Sequence, residues 1–263
     1  MSKAARSLRS LPAPAGRPSP PHVRSLRLRL NDGAWTTLHV ATYLLARTEV
    51  RVVRFARPTA LAAWCAEHDV EEAVVGGFFV RATGTPLGEL RTSGIARETV
   101  PFDAPWDARR ACVLAADGAV TIARRPDLPD GGRGDLLQAG PLLVAGGAAC
   151  VAGDPEGFSA AAGQFDSDIT VGRYPRAALA LCGRGRLLAV AADGRSDDDA
   201  GLTLAELAEA LVALGATQAL NLDGGGSTSL VCGGRLRNVP REAHGIEIPG
   251  GRPVTTALVF ASR

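Results

Sequence analysis

The sequence predicts an α+β fold with a mixed, largely antiparallel β-sheet core and a few flanking helices. Apolar runs of strand length are repeatedly joined by short turn signals, as across Asp117-Gly118 in ACVLAADGAVTIA, which is typical of antiparallel hairpins. Only two segments carry a helical pattern. Several hairpins combined with two helices indicate the α+β class.

The first half of the chain predicts four strands and one helix. VRSLRLRL, the turn at Asn31-Asp32-Gly33 and AWTTLHVATY alternate with period two, which predicts a hairpin. RVVRFA, residues 51–56, predicts a third strand. PTALAAWCAEHDV predicts a helix with Pro58 near its first turn, and EEAVVGGFF predicts a strand that runs into a glycine-containing bend.

The second half contains the clearest helix. After the hairpin at Asp117-Gly118, LLQAGPLLVAGG is apolar and AALALCGRGRLLAVAADGR predicts another hairpin. In TLAELAEALVALGA, Thr203 and Glu206 form a capping box and Gly215 closes the helix. QALNL then predicts a strand that leads into Asp223, and TSLVC and PVTTALVF predict the last strands.

Composition and charge divide the chain into two parts. Residues 1–21, rich in Pro, Ser, Ala and Arg, predict a disordered basic tail, and residues 22–263 are expected to form a single domain. The formal net charge is +2, but residues 1–30 hold seven basic residues and no acid. The rest has 22 basic against 27 acidic residues, which argues against a nucleic-acid-binding surface. Oligomeric state is left open.

The sequence predicts a cytoplasmic protein that does not bind membranes. The N-terminus has no apolar segment typical of a secretory signal, and no stretch approaches the roughly 18 to 20 apolar residues that span a bilayer. The five cysteines are scattered without CxxC spacing, which argues against a zinc site and a disulfide framework.

The stretch ALNLDGGGSTSLV, residues 219–231, is unusual. A tight hairpin needs two turn residues, whereas here three consecutive glycines separate two apolar runs. Consecutive glycine N–H groups can form a concave nest for anions, beside which hydroxyl and carboxyl groups add polar contacts. The pattern is neither a P-loop nor GxGxxG. We interpret it as an anion or sugar site formed by Asp223, Gly224, Gly225, Gly226, Ser227 and Thr228.

A second candidate is VAADGRSDDDAGLT, residues 190–203. The three consecutive aspartates favour a solvated acidic face before the helix, and their spacing does not match an EF-hand. Asp193 and Arg195 differ, because the following helix and strand lead directly to Asp223. We therefore expect Asp193, Arg195 and Asp223 to meet at one edge of a sheet.

Smaller signals complete the candidate set. Gly76 and Gly77 follow an apolar strand, which indicates close backbone approach, and the next two phenylalanines are expected in the core. Gln138 is polar within an apolar stretch and needs partners, and Arg176 stands at a strand entrance. The four histidines show no metal-ligand spacing and are expected to be structural or solvent-exposed. No GxSxG motif supports a serine hydrolase.

Taken in order, these stretches resemble the phosphodiester glycosidase family. The resemblance rests on five segments and covers roughly the last two hundred residues: VGGFF (75–79), LLQAGPLLV (136–144), YPRAALAL (174–181), the continuous block 192–231 and NVP…GRPVTTALVF. The chain departs from the family's usual pattern at Val75, which replaces Asn, and at Ala177, which replaces Thr. Members of the family are commonly exported.

The resemblance implies a hydrolase that cleaves a sugar-1-phosphate diester at the anomeric C–O bond and releases an N-acetylglucosamine-like sugar and a phosphate monoester. Phosphate is a good leaving group, so the site needs charge complementarity more than a strong acid. A carboxylate supports the oxocarbenium-like sugar. The implied catalytic residues are Asp223, Asp193 and Arg195. The implied substrate-binding residues are Gly76, Gly77, Gln138, Arg176, Asn221, Gly224, Gly225, Gly226, Ser227 and Thr228.

Two alternatives stay open. Val75 and Ala177 favour a non-catalytic module that binds carbohydrate or phosphate with a degenerate site. A metal-dependent phosphodiesterase would instead cut on the other side of phosphorus and release a sugar phosphate. The spacing establishes no metal ligands and leaves a divalent cation, Ca²⁺ or Mg²⁺, open.

Overall fold

Strands dominate the computed structural model, which describes residues 22–103, 107–129, 131–159 and 169–263. The predicted tail, residues 1–21, lies outside the described residues. In chain order the strands are β1 His22–Arg29, β2 Trp35–Leu44, β3 Thr48–Ala60, β4 Ala73–Val75, β5 Phe79–Val80, β6 Thr85–Pro86, β7 Leu90–Thr92, β8 Ile95–Ala96, β9 Ala111–Ala116, β10 Ala119–Arg124, β11 Asp135–Gln138, β12 Leu142–Ala145, β13 Ala148–Ala149, β14 Arg176–Cys182, β15 Arg186–Ala192, β16 Ala216–Asn221, β17 Leu230–Cys232, β18 Arg235–Leu236 and β19 Pro253–Ser262. The helices are α1 Leu61–Glu67 and α2 Leu204–Ala213.

The described strands form three larger sheets and one small ribbon. Seven strands pair in the order β1-β2-β15-β14-β16-β12-β13. Two five-stranded sheets have the orders β18-β17-β4-β19-β3 and β10-β9-β11-β7-β8, and β5 pairs with β6. The pairings between these strands are antiparallel. The structure therefore confirms the predicted α+β class with a sheet-dominated core.

The seven-stranded sheet lies between two apolar cores. Side chains alternate between the two faces of a strand, so β14 and β15 contribute to both cores. Their sequences are therefore almost continuously apolar. Leu179 and Leu187 face the core shared with the β3-β4-β19 sheet, whereas Leu188 and Val190 face α2. This layering leaves the loops at the strand ends to form a site.

Helix α2 has the start that the sequence predicts. The Thr203 hydroxyl accepts from the Glu206 N–H at 3.1 Å, and the Glu206 carboxylate accepts from the Thr203 N–H at 2.9 Å, which completes the capping box. Glu206 also accepts from Arg173 Nη2 at 2.5 Å. The helix start therefore fixes the segment that leads into β14.

Helix α1 is shorter than predicted, and Pro58, expected near its first turn, belongs to a strand instead. Pro58 lies within β3, which stays paired with β19 as far as the Ala60–Pro253 pair. Because this long-range pairing keeps the backbone extended, the helix begins only at Leu61. Neither helix in the described part of the chain is long and apolar enough to span a membrane.

Three strand ends meet at one place. Beyond the end of β16, the Leu222 N–H donates to the carbonyl of Ala177 at 2.9 Å and the Asp223 N–H donates to the carbonyl of Gly76 at 3.0 Å. The Gly225 N–H donates to the carbonyl of Pro175 at 2.8 Å. The glycine loop, residues 224–226, is thus fixed against the end of β4 and the start of β14.

Candidate active site

A pocket opens where these strand ends meet. Its empty space is about 640 Å³, open solvent included. An apolar wall, an arginine wall and the end of β16 with the glycine loop enclose it. The lining residues are Phe78, Phe79, Arg81, Ile169, Tyr174, Arg176, Arg195, Asn221, Leu222, Asp223, Gly224, Gly225 and Arg252.

Asp223 is the carboxylate among these lining residues. One carboxylate oxygen accepts from the Gly224 N–H at 2.9 Å. Burial disfavours the charged form and raises the pKa of Asp223 to about 6, against the smaller opposing effects of Ser227, Arg252 and Gly224. The Ser227 hydroxyl oxygen, Oγ, forms no hydrogen bond with Asp223 or with any other described residue. A carboxylate with such a pKa can exchange protons near neutral pH.

Four arginines line the pocket around this carboxylate: Arg81, Arg176, Arg195 and Arg252. Arg176 is buried and held by backbone carbonyls, because its Nε donates to Leu202 at 3.0 Å and its Nη2 to Ile169 at 3.0 Å. Arginine binds phosphate oxygens with geometrically fixed, charge-assisted hydrogen bonds. The pocket is therefore built for an anionic group.

Arg195 is held by its backbone and by a ring. Its φ of 61° is in the left-handed region, and its Nη1 donates to the carbonyl of Arg241 at 3.0 Å. The guanidinium carbons of Arg195 and Arg176 lie 5.3 and 5.2 Å from the centre of the Tyr174 ring. Burial lowers the pKa of Arg195 from its ordinary value. Tyr174 thus sets the orientation of two cationic groups.

Arg252 is oriented by Glu242, a residue just outside the pocket lining. Its Nε and Nη2 donate to the two carboxylate oxygens at 2.6 and 2.5 Å, which is a bidentate pair. Glu242 Oε2 also lies 3.9 Å from Arg195 Nη1. Burial opposes ionisation, but the hydrogen bonds from Arg252 keep the pKa of Glu242 below its ordinary value. Glu242 therefore connects two of the lining arginines.

The apolar wall is formed by residues that the sequence analysis expects in the core. Phe78 does pack in a buried cluster, with ring centres 6.3 Å from Phe102 and 6.0 Å from Phe158. It nevertheless also lines the pocket, as does the half-buried Phe79. Both phenylalanines therefore pack against the core as expected, and in addition they lie at its boundary with the pocket.

Asn221 lines the pocket and has an unsatisfied side-chain acceptor. Its Nδ2 donates to the carbonyl of Gly140 at 2.9 Å, which fixes the side chain. Its Oδ1 is buried and, within the described part of the chain, has no hydrogen-bond partner. Leaving a buried acceptor unpaired costs about 1–3 kcal/mol, so a ligand hydroxyl there would be favourable.

Three N–H groups in and directly after the glycine loop have hydrogen-bond partners within the protein. The Gly224 N–H donates to Asp223, the Gly225 N–H to Pro175 and the Ser227 N–H to Gly224 at 3.1 Å. The predicted open nest was therefore wrong for Gly224 and Gly225, whose N–H groups already have partners in the protein. The glycines are required for a different reason: Gly225 has a φ of 59°, and a Cβ on Gly226 would lie 2.8 Å from Glu242 Oε1.

Apart from Gln138, five predicted binding residues are not part of the pocket lining: Gly76, Gly77, Gly226, Ser227 and Thr228. A Cβ on Gly76 would lie 2.8 Å from the backbone of Thr256, and the Gly77 N–H donates to Thr256 Oγ1 at 3.1 Å. The expected close backbone approach is confirmed, but as packing between strands. Ser227 and Thr228 are fully buried and do not line the pocket.

Gln138 lies outside the pocket and holds two backbone segments together. Its Oε1 accepts from the Glu89 N–H at 2.9 Å, and its Nε2 donates to the carbonyl of Asp107 at 2.6 Å. Both ends of the amide are therefore used within the protein. The structure does not support the predicted substrate contact, although it does supply the partners that a buried amide needs.

Asp193 also does not line the pocket. Its two carboxylate oxygens accept from His39 Nε2 at 2.8 Å and from the Val239 N–H at 2.7 Å. The expected meeting of three residues is thus found for Arg195 and Asp223 but not for Asp193. Asp193 turns away because β15 ends at Ala192, and the next residue points back to β2.

Val75 and Ala177, where the chain departs from the usual pattern of the family, are completely buried. Both belong to the apolar core beneath the pocket and neither lines it. The lost polar groups are therefore replaced by core packing. Among the described residues, no three His, Cys, Asp or Glu side chains form a cluster that could hold a metal ion.

The sequence profile of the phosphodiester glycosidase family matches residues 68–261. The chain belongs to this family. No functionally curated protein shows significant sequence similarity to it. The matched residues include every part of the pocket lining, from Phe78 to Arg252.

Solved structures share the fold of this chain. The catalytic domain of zebrafish N-acetylglucosamine-1-phosphodiester alpha-N-acetylglucosaminidase, auto-inhibited by its pro-peptide, superposes with a TM-score of 0.71 at 20% identity, over 92% of this chain and 83% of that one. A hypothetical protein from Synechocystis gives 0.72 at 18% identity, over 93% of this chain but only 62% of that one. A putative exported protein from Burkholderia pseudomallei gives 0.60 at 16% identity, over 87% and 74%.

Sequence reasoning missed three polar residues of this glycosidase-family pocket: Arg81, Tyr174 and Arg252. Arg252 and Tyr174 were present in the segments that carry the family resemblance, and their position just before the strands predicted there was the available signal. Arg81 had no comparable signal, since it follows the short strand β5 in a polar turn.

Proposed function

We propose that the protein hydrolyses a sugar-1-phosphate diester between the anomeric carbon and the phosphate oxygen. The products are a free sugar of the N-acetylglucosamine type and a phosphate monoester. One observation carries this proposal: a half-buried carboxylate with a pKa of about 6, Asp223, lines the same pocket as four arginines. The carboxylate suits a developing oxocarbenium ion, and the arginines suit the departing phosphate.

Asp223 acts in its ionised form in this proposal. It stabilises the positive charge that develops at the anomeric carbon and accepts a proton from the attacking water. As the water oxygen bonds to the anomeric carbon, the C–O bond breaks and its electron pair leaves with the phosphate oxygen. Asn221 Oδ1, buried and unpaired, accepts a hydrogen bond from a sugar hydroxyl.

The arginine wall explains how one lining carboxylate suffices. A phosphate monoester is a stable anion and leaves without a strong general acid, so a second, protonated carboxyl group is not required for bond cleavage. Arg176, Arg195 and Arg252 hold the phosphate oxygens in fixed directions, because each is oriented by protein acceptors. Preorganised donors of this kind are worth several kcal/mol at a developing charge.

The first test measures hydrolysis of UDP-N-acetylglucosamine and a simple α-linked N-acetylglucosamine-1-phosphate diester. Wild-type protein should release free sugar, and Asp223→Asn should lower kcat at least about 100-fold. Asp197→Asn is the matched control, because this aspartate is exposed in the loop beside Arg195. Binding of either substrate without turnover by the wild type would instead identify a non-catalytic module.

Water labelled with ¹⁸O separates the proposed reaction from phosphodiester cleavage. Attack at the anomeric carbon leaves the phosphate monoester unlabelled, whereas attack at phosphorus places one ¹⁸O in the phosphate. Mass spectrometry of the phosphate product distinguishes the two. A labelled sugar phosphate, formed only when a divalent cation is added, would establish the metal-dependent phosphodiesterase.

A further inference from the structure

Outside the pocket, three side chains form a continuous hydrogen-bonded chain. Ser25 Oγ lies 2.9 Å from His39 Nδ1, and His39 Nε2 lies 2.8 Å from Asp193 Oδ2. Ser25 and His39 are directly opposite each other on β1 and β2, and Asp193 follows the end of β15. A serine, a histidine and an aspartate in this order are the components of an activated nucleophile.

The Asp193 carboxylate determines which nitrogen of His39 carries the proton. A carboxylate can only accept, so the Nε2 proton is directed to Asp193 and the Nδ1 lone pair faces Ser25. Asp193 is itself fixed, because its other oxygen accepts from the Val239 N–H at 2.7 Å. His39 is therefore oriented as a general base for the Ser25 hydroxyl. Serine proteases use the two ring nitrogens in the opposite order, but both are competent bases.

The solvent exposure of the three side chains matches what such a site requires. Ser25 is exposed on the outermost strand, whereas His39 and Asp193 are only 9% and 4% exposed. A substrate can reach the nucleophile while the base and its partner are shielded from water. Because β1 is the edge strand of the seven-stranded sheet among the described residues, alternate backbone N–H groups point outward and are available to an oxyanion.

We propose that Ser25, His39 and Asp193 form a second catalytic site that cleaves carboxylic esters. Ser25 Oγ attacks the ester carbonyl carbon as its proton passes to His39 Nδ1, and the C–O bond to the alcohol breaks. His39 returns the proton to the departing alkoxide. Water, deprotonated by His39, then hydrolyses the acyl-serine and restores the Ser25 hydroxyl. None of these three residues lines the arginine-rich pocket, so this activity is independent of the proposed glycosidase.

A fluorophosphonate probe tests the nucleophile directly in the full-length chain. Serine attack forms a P–O bond and releases fluoride, and peptide mass spectrometry locates the adduct. We expect a single adduct on Ser25, no adduct in Ser25→Ala, and labelling at least tenfold slower in His39→Gln. Ser262→Ala is the matched control, because Ser262 is an exposed strand serine outside any such chain.

A second measurement follows hydrolysis of p-nitrophenyl acetate. Wild-type protein and Ser262→Ala should show turnover that Ser25→Ala lacks, while all three retain equal activity toward the sugar phosphodiester. The proposal would be overturned if the probe labelled Ser25 no faster than Ser262. It would also be overturned if Ser25→Ala hydrolysed the ester as fast as the wild type. His39 and Asp193 would then serve only to fix β2 against the loop after β15. Either result leaves the glycosidase proposal untouched.

Discussion

At Asp223, a single side chain combines a cost in stability with a capacity for proton transfer. Its pKa is raised to about 6 because burial disfavours the carboxylate, and the proposed role needs the ionised form. We therefore expect kcat/KM to fall about tenfold per pH unit below about pH 6. A pH–rate profile measures this, with circular dichroism to show that the protein stays folded. Activity that rises toward acid would make Asp223 a proton donor instead.

The same pKa predicts that Asp223→Asn is more stable than the wild type. The native carboxyl binds its proton more tightly than the unfolded one, whose pKa is near 3.8, so stability is lost as pH rises through the window from about 4 to 6. Above pH 6 the neutral amide should gain on the order of 2 kcal/mol in unfolding free energy. Urea unfolding at pH 7 should show this gain, and at pH 4 it should nearly vanish. Equal gains at both pH values would contradict the cause.

Arg252 shows that orientation, not charge alone, is expected to matter in the arginine wall. Its two hydrogen bonds to Glu242 use the planar fork of a guanidinium, which a lysine ammonium cannot reproduce. We expect Arg252→Lys to lower kcat/KM for a sugar phosphodiester by about 10- to 100-fold. Arg235→Lys, at an exposed position on β18, is the control. Unchanged kinetics in Arg252→Lys would mean that positive charge is sufficient at this position.

Among the elements, α2 can be tested through its cap. The Thr203 hydroxyl satisfies the Glu206 N–H at the helix start, and alanine would leave this donor without its partner. We expect Thr203→Ala to lower the free energy of unfolding by about 1 kcal/mol in urea. Glu209→Ala, on the exposed face of the same helix, should change it by much less. Equal effects of the two substitutions would show that helix propensity, rather than the cap, is being measured.

Elements whose signals are local were predicted well. The turn at Asp117-Gly118 joins β9 to β10, and the capping box starts α2 as expected. Elements that depend on distant partners were not. Pro58 became part of β3 because β19, about two hundred residues further along, keeps the backbone extended there. Turns and helix caps are determined by a few neighbouring residues, whereas the length of a strand depends on the partner strand with which it pairs.

For the whole molecule, the pocket could be predicted only where the chain connects its parts directly. Arg195 and Asp223 come together because one helix and one strand link them. Arg81 and Arg252 also line this pocket but lie far from Asp223 or from each other along the chain, and no short-range pattern indicated Arg81. Gln138 and Asp193, which were predicted to act at the site but do not line it, show a second limit of sequence reasoning. A polar residue near apolar strands needs partners, but sequence does not say whether these belong to protein or substrate.

The layered architecture separates stability from the site, and Leu211 tests that separation. This fully buried residue of α2 packs in the core between the helix and the seven-stranded sheet, and it does not itself line the pocket. Leu211→Ala should lower the free energy of unfolding by about 2–5 kcal/mol, because it removes buried methyl groups and leaves a cavity. The kcat/KM of the folded variant should stay within about twofold of wild type when measured well below its melting temperature. A large loss of activity in folded Leu211→Ala would show that the α2 layer and the strand ends act as one unit, since packing changes would then reach Asp223 through β16.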